Sequence, residues 1–243
     1  MNPGVFLTQR KREVLREMGI TVWVRRERGP IPETNPHSEA PVAISAECLP
    51  VADLPSVETL GWDELRSRVD ACTRCEELAS TRTQTVFGVG AHDADWLFIG
   101  EAPGAEEDRR GEPFVGRAGQ LLDNMLAALD LHRGDNVYIA NILKCRPPGN
   151  RNPRPDEAAA CRGYLDRQID LVGPRVIVAL GRVAAQALLD TDLPLGRLRG
   201  GEHRYRETPV VVTYHPAYLL RTPGDKAKAW QDLRNARALM RDV

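Results

Sequence analysis

Four short apolar runs constrain this chain more than any other feature. They are DWLFIG (95–100), NVYIANIL (136–143), RVIVALG (175–181) and PVVVTYHP (209–216). Each is rich in β-branched or large apolar residues and shows no polar alternation, as expected of strands buried on both faces. Helical patterns separate them: GQLLDNMLAAL (119–129), RPDEAAACRGYLDRQIDLV (154–172) and RVAAQALL after Gly181, with a last amphipathic helix over about 226–241. Pro155 near a first turn, followed by Asp156 and Glu157, suits a helix start and its dipole. Alternating strands and helices predict an α/β fold with a mostly parallel sheet covered on both faces. Ligands of such sheets bind beyond the carboxyl ends of the strands. Four segments fall at those ends: GEAPG, NILKC, ALGR and YHPAY.

The chain has 243 residues, enough for one sizeable domain with additional sequence. A short helix at 10–19, a strand in ITVWVRR and a proline-rich linker over 27–58 precede the main domain, which is expected from about Gly61 onward. Residues 1–60 contain no motif to which a role can be assigned. No apolar run reaches the ~20 residues of a membrane span, and the start lacks a secretory h-region. The expectation is a cytoplasmic protein without a membrane partner. Net charge is −1, so overall charge does not announce a polyanion partner. Of the 33 basic residues only Lys11, Lys144, Lys226 and Lys228 are lysine. The arginine excess suits phosphate contacts, although a compositional bias explains it equally.

There are five cysteines. Cys72 and Cys75 form a C-x2-C pair, and Cys145 and Cys161 flank a Pro- and Arg-rich loop. Two such pairs can close a tetrahedral zinc site or an iron–sulfur site, and on spacing alone zinc is the default. Cys48 has no partner pattern. The other candidates each have a plainer reading. Glu101 follows a strand, where catalytic carboxylates occur, but a solvated loop acid would read the same. Phe114 in GEPFVG is an aromatic platform or a loop anchor. Asn141 can read a pyrimidine edge with one donor and one acceptor, or cap a turn. His215 can donate to a developing anion or serve structurally.

Their joint order narrows these choices. GEAPGxxEDxxGxPFVGxAGxLL, N-x3-C-R-P, the two cysteine pairs and HPAYLLR resemble the family 4 uracil-DNA glycosylases, the iron–sulfur, thermostable-type branch of the uracil-DNA glycosylase superfamily. The resemblance covers about residues 61–241. It implies a three-layer α/β/α sandwich with a central four-stranded parallel sheet, and a monomer that removes uracil from DNA. It implies a 4Fe–4S cluster on Cys72, Cys75, Cys145 and Cys161, which displaces the zinc default. Arg146, Arg151 and Arg154 in the loop between the last two cysteines could then meet phosphates. His215 would donate to the uracil O2, Asn141 would bond the O4/N3 edge, and Phe114 would stack on the ring. Gly100, Glu101 and Ala102 would line the O2 side, and Glu107 would crowd C5 against a thymine methyl. Leu219, Leu220 and Arg221 would belong to the loop that enters DNA. Where the wider superfamily has a water-positioning Asp this chain has Ala102, so Glu101 is the candidate for that task. The main competing reading is a non-catalytic nucleic-acid-binding or structural iron–sulfur protein on the same scaffold, and a second is a related glycosylase that accepts hypoxanthine or xanthine.

Overall fold

All four apolar runs of the main domain are strands in the computed structural model, which describes residues 56–242. They are β2 (Trp96–Gly100), β3 (Val137–Asn141), β4 (Val176–Leu180) and β6 (Thr208–Thr213). The first three are buried at every position. The sheet order is β1-β3-β2-β4-β6-β5, where β1 is Val89–Gly90 and β5 is His203–Tyr205. Neighbours among β3, β2, β4 and β6 pair in parallel, and β1 and β5 pair antiparallel at the two edges. The sheet is therefore six-stranded and mixed, rather than four-stranded and parallel. Both edge strands are too short to show a periodic pattern in the sequence.

Alternate strand residues feed two cores, because successive side chains point to opposite faces. On one face Leu97, Ile99, Tyr138, Ala140, Ile177 and Ala179 pack with Leu165, Ile169, Ala184, Ala185 and Leu188. These latter residues belong to α5 (Pro155–Val172) and α6 (Arg182–Leu189). On the other face Phe98, Ile139, Val176 and Val178 pack with Leu122, Leu126, Leu233 and Ala236. Those come from α4 (Arg117–Ala127) and α9 (Lys226–Asp242). The α5 start follows the expected chemistry: Pro155 opens it, and the Glu157 carboxylate accepts the Arg154 backbone N–H at 2.8 Å. Gly173, at φ 59°, ends it in the left-handed region.

Five helices are too short for a sequence pattern: α1 (Trp62–Asp70), α2 (Glu76–Thr81), α3 (Ala105–Arg110), α7 (Leu195–Leu198) and α8 (Pro216–Arg221). Contacts divide the chain into Met1–Pro50 and Val51–Val243, and the described residues fall in the second unit. Leu60 is buried, and its carbonyl accepts from Arg167 at 2.7 Å, so packing begins slightly before Gly61. The helix expected at 10–19, the strand at 20–26, most of the 27–58 linker and Cys48 lie outside the described residues. Among the described residues no helix is long and apolar enough to cross a membrane.

Candidate active site

The chain leaves β2 for β3 on one side and returns to β4 on the other. That reversal opens a crevice at the carboxyl ends of the parallel strands. A cavity of about 850 Å³ occupies it, and Glu101, Ala102, Glu107, Phe114, Asn141 and His215 all line it. The strand register assembles the inner wall, because Gly100 pairs with Asn141. A Cβ on Gly100 would lie 2.5 Å from Asn141 Oδ1 and 2.6 Å from Phe114 Cζ. Only glycine lets these two side chains meet behind the strand end.

Phe114 is buried and has φ 55°, a left-handed backbone that a bulky residue adopts only when its surroundings force it. Three contacts do so. Arg133 donates to the Pro113 carbonyl at 2.6 Å and to the Phe114 carbonyl at 2.7 Å. Gly119 lies so near that a Cβ there would sit 1.7 Å from the Phe114 carbonyl oxygen. Glu107 accepts from the N–H groups of Val115 at 3.0 Å, Gly116 at 3.1 Å and Gly104 at 3.1 Å. Both Glu107 oxygens are thus engaged by the backbone, and its carboxylate fastens the Phe114 loop to the start of α3. The Phe114 and His215 rings stack, with centroids 5.5 Å apart and 29° between planes.

His215 precedes α8, and its Nδ1 accepts the Ala217 backbone N–H at 3.1 Å. Nδ1 is therefore unprotonated, and the ring proton of the neutral imidazole sits on Nε2. Burial, helped by nearby Arg221, pushes its pKa down to about 4. The site holds a neutral histidine with one N–H to donate. Asn141 is buried, and its Oδ1 has no hydrogen-bond partner. A buried acceptor left without a donor is costly, so its presence in a cavity wall points to a ligand N–H. Burial also raises the Glu101 carboxyl above its usual range, with Arg182 opposing.

A second, smaller hollow is lined by Cys72, Cys75, Cys145 and Cys161, together with Leu78, Arg82, Leu143 and Tyr164. The first two cysteines flank the α1–α2 turn, Cys145 lies four residues past β3, and Cys161 is on α5. All four are free thiols. Arg82 donates to Cys145 Sγ at 2.8 Å and to the Cys72 carbonyl at 2.8 Å. Burial raises the Cys75, Cys145 and Cys161 thiols, the last to about 11. Among the described residues no three Cys, His, Asp or Glu side chains are grouped as a single metal ion would need.

The uracil DNA glycosylase superfamily model matches residues 87–234. The chain belongs to the uracil-DNA glycosylase superfamily. A Type-4 uracil-DNA glycosylase of Archaeoglobus fulgidus is 45% identical over 169 residues, 66% of this chain and 84% of the relative. One from Thermotoga maritima is 42% identical over 178 residues, 72% of this chain and 92% of the relative. One from Sulfurisphaera tokodaii is 39% identical over 185 residues, 73% of this chain and 84% of the relative.

For this superfamily member, the expected DNA-entering segment needs correcting. Leu219 is 1% exposed and lines a hollow with Leu121, Met125 and Leu233, so it anchors α8 to the body and cannot serve as a wedge in this conformation. Leu220 and Arg221 are exposed. The arginines of the cysteine loop are also committed. Arg151 grips Glu157 at 2.6 and 2.9 Å and Glu77 at 3.1 Å, and Arg154 reaches Glu77 at 2.7 Å. Arg146 bonds Asn150 at 2.7 Å. Arg151 and Arg154 brace α2 against α5. Sequence reasoning missed Arg82, Arg133, Lys144 and Arg182. Nothing local in the sequence marks the arginines, whereas Gly119 inside an otherwise good helix was a visible sign of close backbone approach.

Proposed function

We propose that this chain is a monofunctional Type-4 uracil-DNA glycosylase, which hydrolyses the N1–C1′ bond of uracil in DNA and leaves an abasic site for base excision repair. The unpaired Oδ1 of buried Asn141, beside the Phe114 and His215 rings, supports this most directly. Uracil offers an N3–H donor and an O4 acceptor, and the Asn141 amide offers the complement. The base leaves the stack and enters the cavity, where it lies against Phe114. As the bond breaks, the sugar becomes oxocarbenium-like and negative charge collects on O2, where the His215 Nε2–H donates. The backbone of Gly100 and Ala102 lines that side. Glu101 holds the attacking water and faces the developing positive charge. Glu107 works indirectly: it fixes the wall that a thymine methyl would strike. Leu220 and Arg221 meet the DNA. The catalytic unit spans 61–243, and the enzyme acts as a cytoplasmic monomer.

The reading is tested by release of free base from oligonucleotides containing uracil, thymine or cytosine. Release of uracil alone is expected, and none from any substrate would leave the non-catalytic binding reading. Asn141→Asp should weaken uracil excision and allow some cytosine release, because a protonated acid matches the cytosine edge.

The cysteine hollow suits a 4Fe–4S cluster, because four sulfur donors line a single hollow. The cluster would be held by Cys72, Cys75, Cys145 and Cys161, and when bound it supplies a structural cross-link between the α1–α2 turn, the β3 exit and α5. The purified protein should be brown, with broad absorption near about 400 nm. Colourless protein with stoichiometric zinc would refute the assignment. Cys145→Ser should cost colour and solubility, and Cys48→Ser should cost neither.

A further inference from the structure

Lys144 is the one lysine that sits inside the described domain core, 1% exposed. It occupies the short stretch between Asn141, which ends β3, and Cys145, which lines the cysteine hollow. Among the described residues no ion pair joins it to an Asp or Glu. A buried cation is tolerated only where hydrogen bonds and opposite charge offset its lost hydration. Its Nζ donates to the backbone carbonyl of Asn141 at 2.8 Å. The Lys144 carbonyl accepts from the Val86 N–H at 2.7 Å, which fixes its own backbone. The exit of β3 is held to β2 as well, since the Ile142 N–H reaches the Gly100 carbonyl at 2.9 Å and the Leu143 N–H reaches the Glu101 carbonyl at 3.1 Å.

We propose that Lys144 is a positioning residue for the base-reading amide: its buried ammonium donates to the Asn141 carbonyl, fixes the end of β3 and so sets where the Asn141 side chain points. This rests on the glycosylase reading above. Lys144 touches neither the base nor the sugar, so it acts only through Asn141.

The test uses the full-length, iron-loaded protein. Lys144→Met preserves length and apolar volume but removes the donor. Iron content and visible absorption should stay near wild type. Single-turnover uracil excision should fall about ten-fold, the scale of coupling between directly hydrogen-bonded groups. In an Asn141→Ala background the same change should cost almost nothing. An equal loss in both backgrounds, or no loss in either, would overturn the proposal. If Lys144→Met fails to fold or to hold iron, Lys144→Gln takes its place, since it keeps a neutral donor. Uracil-over-cytosine selectivity close to wild type in the Gln variant supports the anchoring bond, and selectivity lost with iron retained overturns it. Wild-type protein that releases no uracil would defeat the glycosylase reading instead, so the two failures are distinguishable.

Discussion

His215→Ala is expected to lower single-turnover uracil excision by about 10²–10³-fold, while affinity for uracil-containing DNA changes little. The uracil O2 carries its negative charge only as the glycosidic bond breaks, so a donor aimed there stabilises the transition state more than the bound substrate. Loss of one such preorganised donor typically costs about 10²–10³-fold. The Ala217 N–H on Nδ1 fixes the tautomer, so the donor is Nε2–H and the ring is neutral. With its pKa pushed to about 4 by burial, His215 stays neutral down through pH 5. A decline in rate on the acid side above that point would therefore report Glu101, whose carboxyl is raised by burial. Glu101→Gln should flatten that limb. Folding is linked to His215 in the same way. Between about pH 4 and 6.5 the unfolded chain binds a proton there that the native state does not. Stability contributed by the neutral ring is therefore lost as pH falls through that window, and His215→Ala should remove this part of the dependence. Unchanged single-turnover rate in His215→Ala would show that the donor is elsewhere.

Gly100→Ala should be nearly as damaging and for a different reason. One added methyl would lie 2.5 Å from Asn141 Oδ1 and within 2.7 Å of two Phe114 ring carbons. Neither neighbour has an easy retreat: Asn141 closes a buried strand, and Phe114 is fixed by Arg133, Glu107 and Gly119. Both groups proposed to hold the base must shift, and a displacement of about 1 Å in a catalytic arrangement can cost on the order of 10²-fold. Thermal unfolding should shift modestly, because the strand itself remains paired on both sides. Near-normal excision by Gly100→Ala would mean that the wall formed by Gly100, Asn141 and Phe114 is not where the base sits.

The central strands were legible because each is buried on both faces, which writes a continuous apolar run into the sequence. The side chains that line the cavity were legible as one site only as an ordered set. Asn141 and His215, taken singly, resemble turn and structural residues, and their spacing along the chain carries no geometry. Other features left no local trace. β1 and β5 are too short for periodicity, and their pairing is decided by the neighbouring strand. Arg133, more than ten residues from Phe114, acts through two carbonyls that any residue could provide. Leu219 and Leu220 are adjacent and chemically identical, and only the orientation of α8 decides that one is a core residue and the other faces solvent. Arg151 and Arg154 read as phosphate ligands until the fold brings Glu77 and Glu157 beside them.

The short antiparallel strands at the margins of the sheet bear on colloidal behaviour. An exposed strand edge templates the addition of further chains in proportion to the length of unpaired backbone it presents. Among the described residues the parallel strands, which are apolar and β-prone, are all interior, and the margins present Val89–Gly90 and His203–Tyr205. A partly unfolded molecule that sheds either margin would expose β3 or β6, so the smallest pieces of the sheet act as its guards against aggregation.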